Sequence, residues 1–378
     1  PFCHRLCPYC AFFKHTPGRT DMRGFVEGVI REAWLRLPEG YAPETIYFGG
    51  GTPRMLSPTH LEHLVKGLRE RVDFSRLREW SFEANPATFG AAKAEQWVRL
   101  GVTRVSLGAQ SFEPELLRLL GREHSPEQIA ESVRLLREAG MPQVNLDLMF
   151  SLPGQRTEQW RHTLEAALEL EPDHLSTYNL TYEEDTAFFE TYGASAGDEE
   201  TDVAMFELAD DLLTAAGMRH YEISNYARPG CESLHNWAAW LGEDYDGLGP
   251  GAFGTRAGTR YHNADDTRAY IAALAEGHLP PGTQEQLSAQ DRRTETLGLR
   301  LRTDEGLPAD WLRPQDEGFV SMLLREGLAQ RALGGNLRPT RAGRLVAGEI
   351  ARGPVGGGPL PWVRRGWVEH RGPFLRVP

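Results

Sequence analysis

The 378-residue chain is poor in cysteine, in long apolar runs and in positive charge. Its four cysteines are too few for a disulfide framework, which favours a reducing compartment, and we expect a cytoplasmic protein. No run of about 18 apolar residues occurs, so the sequence offers no candidate transmembrane helix. The formal net charge of −12 argues against bulk binding to nucleic acid or anionic membranes, whose phosphates repel an acidic chain.

Three of the four cysteines lie within the first ten residues, at Cys3, Cys7 and Cys10. Three thiolates on one short loop can hold three irons of a [4Fe–4S] cube and leave the fourth iron open to a small molecule. The alternative is a structural zinc site completed by His4 or His15. Zinc sites usually use paired C-x2-C or H-x3-H spacings, so the C-x3-C-x2-C spacing favours the cluster.

Short β-rich runs alternate with amphipathic helical runs between residues 44 and 180. The predicted strands cover 45–48, 80–83, 102–107, 144–149 and 174–180. The predicted helices cover 58–71, 91–100, 113–120, 126–139 and 156–170. This alternation is typical of βαβ units and a parallel sheet. With one further strand expected before Pro1, the pattern predicts an α/β protein built on an open, partial (β/α)6 barrel.

Polar and glycine-rich residues follow these predicted strands, where the chemistry of such barrels collects. They are residues 49–53, Glu83, residues 108–111, Asp147 and Asn179. The cysteine loop would follow the strand expected before Pro1. Because the carboxyl ends of parallel strands meet at one rim, these residues predict a single site.

The rest of the chain is predicted to form three further regions after a barrel over 1–182. Region 183–285 is a barrel extension with an acidic connector over 183–200, a helix over 199–216, the segment 221–225 and an irregular loop region over 235–254. Region 286–352 suggests an α-rich, winged-helix-like domain that serves packing rather than DNA binding, because the chain is acidic. Region 353–378 is rich in glycine and proline and predicts a poorly ordered tail.

Seven segments, taken in order, resemble a known family. They are PFCHRLCPYC, YFGGGTPRML, SFEANP, LGAQSF, NLDLMFSLPGQ, YEISNYARPG and HNWAAW. Together they resemble the radical S-adenosylmethionine (SAM) enzymes, within them the oxygen-independent coproporphyrinogen III oxidase family, and most closely its HemW-type branch of haem chaperones. The resemblance implies a [4Fe–4S] cluster on the three cysteines, with SAM chelating the open iron. One electron from the cluster would cleave SAM to a 5′-deoxyadenosyl radical.

The resemblance also assigns roles around the cofactor. Tyr9 would lie beside the adenine. Gly50, Gly51 and Thr52 would bring backbone close to the methionine moiety, which requires residues without bulk. Glu83 would accept hydrogen bonds from a ribose hydroxyl or an amino group.

A polar shell around SAM or a second bound molecule would be completed by Gln110, Arg122 and Asp147. Each has a structural alternative. Arg122 could belong to a solvated loop, and Glu83 and Asp147 could be carboxylates that only satisfy strand ends.

Two departures bear on the branch. The oxidases of the family carry a cysteine two residues after the third ligand, where this chain has Phe12, as HemW-type proteins do.

The segment HNWAAW resembles the HNxxYW element that is linked to haem, and it makes His235 a candidate axial ligand. The alternative is a histidine hydrogen-bonded within a tryptophan-packed loop. Ala239 and Phe253 replace polar residues of the relatives and weaken contacts to haem propionates. Cys231 is better explained as a small buried residue than as a haem thiolate.

These features favour a HemW-like protein that binds a [4Fe–4S] cluster and SAM, holds haem on its 183–285 side, and passes it to an acceptor apo-protein. Its expected partners are haem or a porphyrinogen, the acceptor, and a reductant such as flavodoxin or ferredoxin, with any membrane contact made through a partner. One alternative is a coproporphyrinogen III oxidase of porphyrin biosynthesis, which converts two propionates to vinyls. The other is a zinc protein with an interaction role.

Overall fold

A computed structural model describes residues 1–193 and 199–352 of the chain. Its main sheet has seven strands in the order β1-β2-β3-β4-β5-β7-β6. Five are parallel: β1 (Thr45–Phe48), β2 (Glu79–Ala84), β3 (Arg104–Gln110), β4 (Gln143–Phe150) and β5 (His174–Asn179). The strands β6 (Arg219–Glu222) and β7 (Asn225–Ala227) extend the sheet with antiparallel pairing. The predicted α/β partial barrel is therefore confirmed.

Helices alternate with these strands. In order they are α1 (Met22–Arg36), α2 (Pro58–Arg69), α3 (Ala91–Leu100), α4 (Pro114–Leu119), α5 (Pro126–Glu138), α6 (Thr157–Glu169), α7 (Ala187–Tyr192) and α8 (Glu199–Ala215). Local sequence fixes several of their starts. Ser125 and Gln128 form a capping box at α5, and Ser57 caps α2 with Pro58 as its first residue.

The two faces of the sheet differ in polarity. Successive side chains along a strand point to opposite faces. One face is apolar and buried, with cross-strand neighbours Phe82, Val105 and Val144, and it packs against Leu61, Ile129 and Trp160 of the helices. The other face is polar, with Glu83, Ser106, Asn145 and His174 side by side in the same register. We call this second surface the polar inner face.

Side chains of the polar inner face hydrogen-bond to one another. Asn145 Nδ2 donates to Asp147 Oδ1 at 2.8 Å and to Ser176 Oγ at 3.1 Å. Asn145 Oδ1 lies 2.7 Å from His174 Nδ1, and His174 Nε2 lies 2.8 Å from the hydroxyl of Tyr221. These contacts satisfy polar groups whose burial without partners would be costly.

The remaining elements lie beyond the barrel. They are α9 (Leu234–Trp240), β8 (Phe253–Arg256), β9 (Thr259–Asn263), α10 (Thr267–Ala275), β10 (Gly282–Gln286), α11 (Ala289–Arg300), α12 (Glu317–Arg325), β11 (Ala329–Arg331), β12 (Leu337–Pro339), α13 (Arg341–Leu345) and α14 (Ala347–Arg352). Strands β8 to β10 form an antiparallel sheet, and β11 pairs with β12. Helices α11 and α12 and this last hairpin share an apolar cluster of their own. The division into domains and the winged-helix comparison stay predictions.

Several sequence predictions are corrected by the structure. The region 235–254 is not an irregular loop throughout, because Ser233 caps the helix α9 and β8 begins at Phe253. The segment 221–225, for which no element was predicted, belongs to two strands, β6 and β7, with a turn at residues 223–224. Helices α1 and α7 were not predicted, and α7 interrupts the predicted acidic connector. The predicted tail 353–378 lies outside the described residues, and the strand expected before Pro1 stays a prediction.

Within the described ranges, no helix has the length and apolarity that crossing a membrane requires.

Helix α1 is fixed to the β8–β10 sheet by a fully buried carboxylate. Glu32 Oε2 accepts hydrogen bonds from Gly249 N at 2.8 Å and from the Tyr270 hydroxyl at 2.7 Å. Its Oε1 accepts from Asn263 Nδ2 at 2.8 Å and from Arg36 Nε at 3.0 Å. One side chain thus joins α1, β9, α10 and the loop before β8.

Removing this carboxylate should destabilise the protein strongly. We expect Glu32→Ala to lower the free energy of unfolding by about 3–5 kcal/mol, because it removes the carboxylate that pairs with the buried Arg36 charge and that accepts from Gly249 N and the Tyr270 hydroxyl. The measurement is urea unfolding followed by circular dichroism. The control is Glu27→Ala on the same helix, whose exposed pair with His63 is worth about 0–1 kcal/mol. Equal unfolding midpoints for the two variants would contradict this account.

Candidate cofactor site at the carboxyl ends of the strands

The cysteine loop closes on itself through its backbone. Cys3 N donates to His15 O at 3.0 Å, and His15 N donates to Pro1 O at 2.8 Å. Inside this closure, Cys10 N donates to Cys7 O at 3.2 Å. The three thiols of Cys3, Cys7 and Cys10 are free and half-buried. The loop therefore presents all three predicted metal ligands from one short, ordered segment.

The glycine-rich loop after β1 contacts the backbone of the cysteine loop. Thr52 N donates to Phe2 O at 2.6 Å, and Thr52 Oγ1 lies 3.8 Å from Cys3 Sγ as a donor. A Cβ on Gly51 would lie 2.6 Å from Phe2 O and 2.8 Å from Phe2 N. Only glycine permits this approach of the two backbones, so Gly51 is required for the position of Cys3.

The thiols fit a cluster better than a single metal ion. In residues 1–193 and 199–352, no group of three or more His, Cys, Asp and Glu side chains is close enough to hold one ion. His15, a candidate fourth zinc ligand, already has Nδ1 2.9 Å from Thr16 O and Nε2 2.8 Å from Thr267 Oγ1. Burial raises the pKa of Cys3, and the neighbouring Cys10 and Cys7 raise it further. Binding to iron would remove that cost of ionising the three thiols together.

A chain of hydrogen bonds connects Tyr9 to the glycine-rich loop. Arg122 Nη2 donates to the Tyr9 hydroxyl at 2.8 Å, and Arg122 Nη1 donates to Asn85 Oδ1 at 2.6 Å. Asn85 Nδ2 then donates to Thr52 Oγ1 at 3.2 Å. Arg122 is therefore hydrogen-bonded between Tyr9 and Asn85 and does not belong to a solvated loop. The sequence reasoning missed Asn85, although its place two residues after Glu83, at the end of β2, was a usable signal.

Glu83 lies beside the glycine-rich loop at the carboxyl end of β2. Its Oε1 accepts a hydrogen bond from the Tyr47 hydroxyl, and its Oε2 accepts one from Gly50 N at 3.1 Å. Burial raises the pKa of Glu83 to about 7; the hydrogen bond from Tyr47 lowers it and the charge of Asp147 raises it. Gly50 has φ of 104°, and a Cβ there would meet no atom within 4 Å. The space beside Gly50 is therefore open, and the half-buried Glu83 adjoins it through its hydrogen bond with Gly50 N.

Gln110 and Asp147 complete the predicted set. Gln110 ends β3 with φ of 67° at a register shift, a strained conformation of the kind that occurs at functional sites. A Cβ on Gly108 would lie 2.9 Å from Gln110 Nε2 and 3.3 Å from Arg122 Nη2, so both side chains lie against that glycine. Asp147 Oδ2 accepts from Ser106 Oγ at 2.8 Å, and burial raises the pKa of Asp147. Asp147 is therefore both a partner within the polar inner face and a neighbour of Glu83.

Two tyrosines line the space enclosed by the sheet. Tyr47 and Tyr178 are 36% and 38% exposed, respectively. The pKa of each is nevertheless raised well above its usual value, because the surrounding protein desolvates the phenolate. We call the space bounded by the polar inner face the lumen.

His235 lies at the opposite end of the sheet from the cysteine loop. Its Nδ1 lies 3.0 Å from Oγ1 of Thr45, the first residue of β1, and its ring stacks on Tyr47 with centroids 5.0 Å apart. Burial lowers the pKa of His235, which favours the neutral imidazole. The predicted haem-linked residue and the predicted SAM residues are therefore at different mouths of the lumen.

Of the other residues considered for haem, Trp240 is buried, whereas Cys231, Trp237 and Phe253 are half-buried as His235 is. Trp240 is 3% exposed and packs with Ile223, so it cannot lie on a porphyrin face. Trp237 is half-buried with its ring 5.4 Å from Tyr221. Cys231 is half-buried, and burial raises the pKa of its thiol. Phe253 stacks on His262 with centroids 3.9 Å apart.

A buried ion pair that the sequence analysis missed holds α9 in place. Glu79 and Arg104, the first residues of β2 and β3, are each 3% exposed and lie 3.3 Å apart. Arg104 Nη2 donates to Cys231 O at 2.6 Å, and Leu234 N donates to Glu79 Oε2 at 2.8 Å. Glu79 Oε1 also accepts from His235 N at 3.2 Å. The signal in the sequence was a pair of residues of opposite charge, one at the start of each of these two strands.

Comparison with known proteins agrees with this geometry. Residues 1–167 match the model of the radical SAM superfamily. The chain is 33% identical to the heme chaperone HemW of Bacillus subtilis over 93% of its length and 96% of the relative. It is 35% identical to the heme chaperone HemW of Escherichia coli over 86% of its length and 90% of the relative.

The chain belongs to the HemW family of the radical SAM superfamily.

A solved structure supports the fold of this radical SAM protein along nearly its whole length. The coproporphyrinogen III oxidase HemN of Escherichia coli is similar with a TM-score of 0.77 and 25% identity, over 93% of this chain and 87% of HemN. The [4Fe–4S] cluster and SAM predicted from the sequence are the cofactors of the superfamily. Of the described residues, Cys3, Cys7 and Cys10 would hold the cluster, and the residues around Gly50, Thr52 and Glu83 would hold SAM.

The contact between Gly51 and Phe2 gives a direct test of this site in the radical SAM protein. A methyl group at Gly51 must displace the backbone before Cys3, with strain of about 1–3 kcal/mol. We therefore expect Gly51→Ala to bind less iron and sulfide per chain after anaerobic reconstitution. The measurements are chemical analysis of iron and sulfide and the visible absorbance of the cluster.

The matched control is Gly90→Ala, because a Cβ on Gly90 would meet no atom within 4 Å. Equal iron content in the two variants would show that the contact with Phe2 does not position the cysteine loop.

Proposed function

We propose that this protein is a haem chaperone that binds haem through His235 and passes it to an acceptor apo-protein. The observation that carries the proposal is the neutral, oriented imidazole of His235 in a chain that is 33–35% identical to proteins named heme chaperone HemW. We also propose a reductant such as a flavodoxin or a ferredoxin as a partner, and the cytoplasm as the compartment.

The surroundings of His235 suit an axial iron ligand. When Nδ1 donates its proton to Thr45 Oγ1, Nε2 carries the lone pair that binds iron. No hydrogen bond from Nε2 to protein is found in the described part of the chain. Glu79 holds the backbone of His235, and Tyr47 holds one face of the ring. Such support keeps the imidazole oriented before haem arrives.

The cofactor end of the lumen is organised to bind and orient. When bound, the cluster and SAM supply one-electron reductive chemistry. The hydroxyl of Thr52 donates toward Cys3 Sγ, and Arg122 holds both Tyr9 and Asn85 in place. Glu83 offers a carboxylate to a hydroxyl or amino group of the ligand. The half-exposed Phe12 provides no thiol beside this loop, which supports a role other than coproporphyrinogen oxidation.

Haem titration tests the role of His235. We expect His235→Ala to weaken haem binding by more than about tenfold, since even outer-shell partners of a metal are worth 10–100-fold. Affinity and ligation are measured by absorbance in the Soret region and by electron paramagnetic resonance. The control is His278→Ala, an exposed histidine after α10, which should bind haem as the wild type does. Unchanged affinity in His235→Ala would remove His235 from haem ligation.

A second candidate function, coproporphyrinogen III oxidation, is favoured by the structural similarity to HemN over 93% of the chain. The protein is reconstituted anaerobically and incubated with SAM, a strong reductant and coproporphyrinogen III, and products are analysed by mass spectrometry. Because Phe12 replaces the oxidases' cysteine, we expect 5′-deoxyadenosine to form slowly while the porphyrinogen stays intact. Loss of two carbon dioxide units with matching 5′-deoxyadenosine would establish the oxidase instead.

A further inference from the structure

Tyr47 contacts both ends of the lumen at once. Its hydroxyl donates to Glu83 Oε1 at the cofactor end. Its ring stacks on His235 at the other end, with an interplanar angle of 20°. The described residues contain no other side chain with a hydrogen bond or ring contact to both Glu83 and His235. Tyr47 therefore connects the predicted SAM site with the predicted haem ligand, which are far apart in the sequence.

Both neighbours of Tyr47 are fixed from their other sides. Glu83 Oε2 accepts from Gly50 N at 3.1 Å, and His235 Nδ1 lies 3.0 Å from Thr45 Oγ1. A Cβ on Gly49 would lie 2.2 Å from Tyr47 Cε1 and 2.8 Å from Glu83 Oε1, so the loop also packs tightly against this pair. In such close packing, a change at one contact of the ring is passed to the other instead of being absorbed.

A ligand hydroxyl or amino group at Glu83 competes with Tyr47. Both donate to the same carboxylate, whose Oε2 is already engaged by Gly50 N. A ligand donor that takes Oε1 leaves the phenol hydroxyl without its acceptor, and the ring then loses the contact that sets its angle against His235.

We infer that Tyr47 is a positioning residue that couples the two sites, so that SAM binding at Glu83 weakens haem binding at His235. The coupling is reciprocal, because haem must weaken SAM binding by the same factor. SAM would thereby favour release of haem to the acceptor. This inference rests on the proposed function, since it requires haem at His235.

The experiment measures the haem affinity of the reconstituted protein by Soret titration, with and without saturating SAM. In the wild type, we expect SAM to weaken haem binding by about fivefold or more, the lower end of typical coupling between sites. Tyr47→Phe cannot donate to Glu83, so its ring lacks the same contact that SAM removes in the wild type. Its haem affinity should match that of the wild type with SAM and should no longer respond to SAM.

The control is Tyr41→Phe, which removes a phenol hydroxyl from the segment just before β1. Its ring lies against Arg256 and not against the lumen, so it should respond to SAM as the wild type does. Calorimetry of SAM binding with and without haem checks the reciprocal factor.

The outcomes separate this inference from the proposed function. No response to SAM in the wild type, tighter haem binding with SAM, or the same response in Tyr47→Phe would each overturn the coupling. Haem binding that does not depend on His235 would overturn the proposed function itself, whatever SAM does.

Discussion

The polarity of the two faces of the parallel sheet is the constraint on which the site depends. A filled (β/α) barrel places apolar side chains inside, whereas here the apolar residues face the helices and the polar ones face the lumen. Burying so many polar groups is tolerated because they bond to one another, as Asn145 does with Asp147, Ser176 and His174. The result is a rigid polar wall that runs from the mouth with the cysteines to the mouth with His235.

Much of the barrel could be predicted from the sequence, because its strands are short apolar runs and its helices have clear amphipathic periods. Helix α1 was missed for a physical reason. Its buried face carries Glu32 and Gly28, and a Cβ on Gly28 would lie 3.2 Å from Tyr270. A buried carboxylate and a glycine for close packing hide the apolar stripe that identifies a helix. Helix α9, with seven residues, is too short to show a period at all.

The candidate site was also predictable from the sequence only in part. The spacing of the cysteines and the glycines after β1 indicated the cofactor end, because those residues are neighbours in sequence as well as in space. Contacts between distant segments could not be read from a single sequence. Asn85 bonds to an arginine 37 positions later, and Thr45 bonds to a histidine 190 positions later. The position of His235 at the far mouth depends on the pair of Glu79 and Arg104, whose roles appear only when both strands are aligned.

The contacts that hold the cysteine loop come from residues that are synthesised at different times. The three cysteines are synthesised before the partners that fix their loop. Thr52 and Gly51 follow within fifty residues, but His15 is held by Thr267, 252 positions away. Until that threonine has been synthesised, His15 lacks the contact that holds it. The complete set of contacts around the cysteine loop therefore exists only after residue 267 has been added to the chain.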